Sequence, residues 1–261
     1  MNARLEGRNV VVTGAGRGLG RAVAAVLARE GATTWICART EPELTKTVEQ
    51  IRSTGGRVEA RQVDLSDERA TQRFIAGAIK TSGPIDCLVN NAGVLRLTPI
   101  ETLAPGEWSQ TLAVNLTAPY LLTRAVLPGM KERGGSILNV SSRAAVMGFA
   151  DESVYCASKF GLEGLTRALA VELEKTRVSI NTITPGLKIK PTSMTDHAFY
   201  ELPEEKRNEY HNPEELTPAF LLLALLRGEV SGCRFDAGRL SQVIRSEGRD
   251  LTPSQILELA E

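Results

Sequence analysis

Short runs of apolar and β-branched residues alternate along the chain with longer stretches whose apolar positions recur at helical spacing. The strand-like runs fall at residues 9–13, 33–37, 57–63, 85–89, 136–140, 178–183 and, more weakly, 232–235. The helical patterns fall at 19–29, 41–53, 67–81, 107–133, 153–175 and 213–227, and Pro119 and Pro128 are expected to kink or end the fourth of these. Each gap between strands is long enough for a crossover helix, which argues for parallel neighbours joined by right-handed connections. The expected architecture is therefore α/β: a single-domain, doubly wound parallel sheet of about seven strands with helices on both faces. Residues 188–212 are polar and irregular, and a long loop after the sixth strand suits a lid. No repeat or flexible linker divides the chain, so 1–240 reads as one catalytic domain including that lid, and 241–261 as a C-terminal tail.

Composition narrows the function. In 261 residues, 31 Lys and Arg balance 31 Asp and Glu, so no basic surface for nucleic acid is expected. The polar start carries no secretory pattern, and the most apolar run, 218–226, is too short to span a membrane, so a cytoplasmic protein is expected. The four cysteines, Cys37, Cys87, Cys156 and Cys233, lack any metal or redox spacing and read as reduced thiols. His197 and His211 have no ligand-like neighbours, so no metal is expected and both read as solvated loop residues.

The first strand runs into Thr13-Gly14-Ala15-Gly16-Arg17-Gly18-Leu19-Gly20, where the chain must turn sharply into a helix. Glycines permit that turn and clear the helix N-terminus, whose free N–H groups and positive dipole end attract a pyrophosphate. The spacing differs from the common G-x-G-x-x-G fingerprint of dinucleotide sites.

The loop instead resembles the T-G-x-x-x-G-x-G of the short-chain dehydrogenase/reductase family, and other landmarks follow in family order. Asn90-Asn91-Ala92-Gly93 follows the fourth strand, Asn115 lies in the long helical region, Ser142 follows the fifth strand, and Tyr155-Cys156-Ala157-Ser158-Lys159 opens a helix. The likeness runs from about Leu5 to about Asp236. It implies a Rossmann-type domain that moves a hydride reversibly between a nicotinamide cofactor and a carbonyl or secondary alcohol of the 3-oxoacyl, ketone or sugar/polyol type. It further implies that Lys159, besides Tyr155, meets the nicotinamide ribose and that Asn115 holds a water in a proton path from that lysine. Gly14, Gly16, Arg17, Gly18, Leu19 and Gly20 would take the phosphates. Asp64 and Leu65 would meet the adenine, and Asn91, Ala92 and Gly93 would line the adenosine-ribose side or steady the sheet. Pro185 and Gly186 match the segment beside the nicotinamide. The threonine that commonly follows is displaced to Thr192, with Lys190 in its place. A homotetramer or homodimer is implied, packed through the helices at 107–133 and 153–175.

The residues also make chemical sense alone. Tyr155 and Lys159 stand four apart, on one helix face, so the ammonium is expected to lower the phenol toward a working pKa. Ser142 is expected to hold the substrate oxygen in line. The second strand ends in Ala38-Arg39 rather than in an acidic residue, so Arg39, helped by Arg17, is expected to favour the 2′-phosphate of NADP, with NAD the alternative. Lys188 and Lys190 at the lid hinge point to a polar or anionic substrate. A non-catalytic dinucleotide sensor on the same fold is the alternative function, and the intact Ser142, Tyr155 and Lys159 argue against it.

Overall fold

The computed structural model describes residues 3–191, 194, 196–248 and 251–261. Seven parallel strands form one sheet in the order β3-β2-β1-β4-β5-β6-β7: β1 (Asn9–Thr13), β2 (Thr33–Ala38), β3 (Arg57–Gln62), β4 (Cys87–Asn90), β5 (Gly135–Val140), β6 (Val178–Thr184) and β7 (Arg234–Asp236). Strand side chains alternate between two apolar layers: Val10, Val12 and Ile36 pack in one, Val11, Trp35 and Cys37 in the other. A sheet buried on both faces needs near-continuous apolar strands, and β4, β5 and β6 are buried throughout. The order reverses between β1 and β4, which opens a crevice at the carboxyl ends of those strands.

The helices are α1 (Gly18–Arg29), α2 (Glu41–Ser53), α3 (Glu68–Ser82), α4 (Pro105–Leu112), α5 (Ala118–Arg133), α6 (Ser153–Glu172), α7 (Asp196–Tyr200), α8 (Glu204–Arg207), α9 (Thr217–Ala224), α10 (Ala237–Glu247) and α11 (Pro253–Glu258). The start of α3 is set locally, because Asp67 accepts a hydrogen bond from the backbone of Ala70 at 3.0 Å.

Two expectations are corrected. The helical region at 107–133 does not break at its prolines: α4 passes through a π-helical segment, Ala113–Thr117, into α5, Pro119 sits in the first turn of α5, and the helix continues past Pro128. Pro119 has no N–H for the carbonyl of Asn115, and the wider π turn accommodates that. The stretch read as a tail folds: Ser241 and Ile244 of α10 and Ile256 of α11 are buried, and Ala260 pairs antiparallel with Phe235. Among the described residues of 188–212, Ile189 and His211 form a parallel bridge, and Phe199 meets Tyr200 and Tyr210 edge to face. His211 is thus held by the bridge, while His197 on α7 is exposed. Thr192 and Ser193 lie outside the described residues.

Candidate active site

The crevice at the switch point is a cleft of about 560 Å³ that runs from the glycine loop to the start of α6. Gly14, Gly16, Arg17, Leu19, Gly20, Arg39, Asp64, Leu65, Asn91, Ala92, Gly93, Tyr155, Lys159 and Pro185 all line it, so residues far apart in sequence meet in one groove.

Its glycine-loop end is shaped by close approach. Gly14 has φ +65° and a Cβ there would come within 2.8 Å of the Ala92 backbone, while one on Gly16 would come within 3.1 Å of both Ala38 and Glu43. The loop is stapled from below. Thr13 Oγ1 accepts from the backbone N–H groups of Asn91 and Ala92, each at 3.0 Å, and Asn91 Nδ2 donates to the Thr13 carbonyl at 2.8 Å. The Asn91 amide therefore holds the loop, whereas Asn90 Nδ2 donates to Asn139 Oδ1 at 2.8 Å inside the sheet. Gly18 opens α1 with φ +55° and does not line the cleft. Nor does Gly186, whose φ is +71° and whose missing Cβ makes room for the Asp236 carboxylate. These glycines, a helix N-terminus and a groove of this size fit a dinucleotide pyrophosphate.

Where Asp64 lines the cleft, burial opposes its ionisation, but hydrogen bonds from the backbone and hydroxyl of Ser66 and the nearby charge of Arg39 hold it below the usual carboxylate range. Arg39 is exposed. Arg17 is committed elsewhere than expected: its Nη1 pairs with Glu43 Oε1 at 2.9 Å, so a carboxylate stands where two free cations were anticipated.

The other end carries Tyr155 and Lys159. Tyr155 and Lys159 share a face of α6, and the ammonium lies 5.7 Å from the centre of the phenol ring. Lys159 is 4% exposed, and its Nζ donates to the Val140 carbonyl at 2.8 Å. Burial pulls the lysine down to about 8, with the charge of Glu163 opposing the fall. The expected lowering of Tyr155 is not found: burial raises the phenol, the hydrogen bond with the Ser142 hydroxyl lowers it, and Glu152 and Cys156 raise it again. Desolvation of the phenolate is the largest influence, and the Lys159 ammonium is turned toward the Val140 carbonyl. Ser142 itself is held in place as the N-cap of a short 3₁₀ turn, Arg143–Ala145, where its Oγ accepts from Ala144 N–H at 3.2 Å.

Asn115 is 1% exposed within the π segment. Its Oδ1 accepts from Val94 N–H at 2.8 Å, and its Nδ2 donates to the Val94 carbonyl and to Ser158 Oγ, each at 3.0 Å. A Cβ on Gly93 would lie 3.7 Å from both Asn115 Oδ1 and Lys159 Nζ, so these two groups border the same small gap. Ser158, Glu43 and the Val140 carbonyl were not singled out in the sequence, since their roles depend on which elements pack together. At the lid, Lys188 pairs with Glu209 and lies 4.5 Å from the Tyr210 ring centre, and it does not line the cleft. Lys190 and Arg96 do line it.

Comparison with known proteins agrees with this geometry. The family model for short chain dehydrogenases matches residues 8–201. The chain is 37% identical over 193 residues to L-xylulose reductase of Bos taurus, covering 73% of this chain and 76% of that one. It is 32% identical over 231 residues to the 3-oxoacyl-acyl-carrier-protein reductase FabG of Thermotoga maritima, covering 85% and 92%. A metagenomic short-chain oxidoreductase solved in complex with NADP superposes with a TM-score of 0.75 at 36% identity, covering 87% of this chain and 96% of that one. A half-buried tyrosine and a buried lysine at one end of a glycine-lined groove, with a serine beside the tyrosine, thus occur on a chain matched over most of its length by reductases and dehydrogenases. The protein belongs to the short-chain dehydrogenase family, as an oxidoreductase that transfers a hydride between a carbonyl and the corresponding alcohol.

Proposed function

We propose that the enzyme uses NADP(H), with Tyr155 as general acid in carbonyl reduction and general base in alcohol oxidation. The observation that carries this reading is the half-buried Tyr155 phenol beside the Ser142 hydroxyl and one helical turn before Lys159, at the end of the cleft opposite the glycine loop. The dinucleotide, when bound, supplies or accepts the hydride. The chain does the rest. The phenol is protonated near neutral pH, as any tyrosine is and as burial reinforces, and this is the form that donates to a developing alkoxide. Ser142 Oγ, beside the phenol, is placed to hold the same substrate oxygen. Lys159 carries a charge that titrates near 8, within reach of the proton traffic, and Asn115 borders the gap beside it.

Arg39 at the end of β2 supports NADP over NAD, since no acidic residue occupies that position. Lys190 and Arg96 support a polar or anionic carbonyl substrate. Exposed Trp108, Tyr120, Phe160 and Val171 on α4, α5 and α6 support a homodimer or homotetramer closed over those helices. No described helix is long and apolar enough to cross a membrane, in line with a cytoplasmic enzyme.

The test is NADPH oxidation with ketones, oxoacyl thioesters and keto-sugars, comparing acidic with neutral analogues, for the wild type and Tyr155→Phe. The variant is expected to lose at least about 10²-fold in kcat, the usual span of general acid–base catalysis, while binding NADPH as before. Near-normal turnover in that variant identifies another group as the acid.

A further inference from the structure

Two charged side chains that the proposed reaction does not use are buried beside it. Glu163 on α6 and Arg234 on β7 are directly paired, with side-chain exposures of 8% and 6%. Their remaining valences are filled. Glu163 Oε1 accepts from Ser141 Oγ at 2.6 Å, and Oε2 accepts from Thr182 Oγ1 at 2.9 Å. Arg234 Nη1 donates to Ser141 Oγ at 3.1 Å, Nη2 to the Ser142 carbonyl at 3.0 Å, and Nε to Glu261 Oε2 at 2.7 Å. A buried ion pair adds little to stability compared with apolar side chains of the same volume, so stability alone does not account for two charges here.

Their position does. The Ser141-Ser142 step directly follows Val140, whose carbonyl holds the Lys159 ammonium. Glu163 stands four residues after Lys159 on the same helix face. We infer that Glu163 and Arg234 are a positioning pair for the active site: the guanidinium fixes the Ser142 backbone, and the carboxylate fixes Ser141 and places a negative charge behind Lys159. Glu261 orients the guanidinium, and the bridge of Ala260 to Phe235 brings it there. This inference rests on the reading that Ser142, Tyr155 and Lys159 are the reacting groups.

The charges around it can be named. Lys159 faces Glu163 and the Tyr155 phenol on its own helix, and the Val140 carbonyl and Asn115 amide across from it. Glu163 faces Arg234 from β7, Ser141 after β5 and Thr182 from β6. Arg234 faces Glu163 and Glu261. Since Glu163 opposes the burial of the Lys159 charge, its removal and the removal of Arg234 act on that lysine in opposite directions.

The experiment is a ¹⁵N-lysine NMR titration of the full chain, with the Lys159 signal assigned by Lys159→Met, run beside the pH profile of kcat. Glu163→Gln is expected to lower the Lys159 midpoint by about one pH unit. Arg234→Met is expected to raise it, because the carboxylate then has no competing cation, and the double variant is expected to return toward wild type. Arg234→Lys keeps the charge but not the planar fork that spans Glu163, Ser142 and Glu261. It is expected to leave the midpoint in place and lower kcat about tenfold with the KM for NADPH unchanged, and Glu261→Gln is expected to lower kcat in the same sense. Equal shifts in Glu163→Gln and Arg234→Met, or none, overturn the electrostatic part. Full kcat in both Arg234→Lys and Glu261→Gln overturns the positioning part, and these two milder variants decide the matter if the others do not fold. Wild-type protein that turns over no carbonyl refutes the catalytic reading instead, while the titration still reports the coupling of Glu163 to Lys159.

Discussion

Glu43 is the residue through which cofactor choice is most open to test. Its carboxylate lies at the mouth of the cleft, paired with Arg17 at 2.9 Å and packed over Gly16 beside Ala38. On the NADP reading proposed above, a 2′-phosphate reaching Arg39 would therefore meet one cation and one carboxylate, with Arg17 withheld. Glu43→Gln removes the like charge and releases the guanidinium. Two unit charges at contact distance repel by ~1 kcal/mol in water and ~4 kcal/mol at a protein surface. Glu43 is 27% exposed, which places it nearer the lower figure. A gain of ~1 kcal/mol corresponds to NADPH binding roughly five- to tenfold more tightly. NADH lacks the phosphate, so its affinity is expected to change by less than about twofold. Fluorescence titration of both reduced cofactors at low and at 0.5 M salt is the assay, and the gain is expected to shrink with salt because the site is open to solvent. Arg39→Ala is expected to weaken NADPH by about tenfold in the same assay, as a lost charge-assisted bond would. If Glu43→Gln leaves NADPH unchanged, or tightens NADH equally, the carboxylate plays no part in the choice.

Two further outcomes concern stability. Burial pushes the Cys37 and Cys87 thiols from 9.0 up to about 12, so between those values the unfolded chain releases protons that the folded chain keeps. Their stabilising contribution is complete below about pH 9 and is lost as pH rises toward 12, and the fall of Tm across the accessible part of that window is expected to flatten in a Cys37→Ala/Cys87→Ala variant; an unchanged slope would assign it to other groups. Lys159 works the other way, since its depressed value makes stability rise with pH between about 8 and 10.5, so the two thiols govern only the upper range. Asp67→Ala removes the cap of α3 and is expected to cost about 1 kcal/mol in urea unfolding with activity retained; no loss would mean that packing alone sets that helix start.

Sequence by itself determined the α/β alternation, the strand core positions, the glycine loop and the spacing of Tyr155 and Lys159, because each is a local pattern: a period, a turn requirement or a helical interval. It did not reach the pairing of Arg17 with Glu43, the bond from Lys159 to the Val140 carbonyl or the upward shift of Tyr155, which arise only when α1 meets α2 and α6 packs on β5. The π turn at Asn115 was hidden for a related reason, since Pro119 signals a missing N–H but not how the backbone absorbs it. The last stretch looked like a tail because α10 and α11 are short, and their apolar residues find a core only on the folded body. Glu163, Arg234 and Glu261 lie far apart in the chain and carry no motif. Only the tertiary structure decided that they meet behind Ser142, because a buried charge must find its partner wherever the fold brings one.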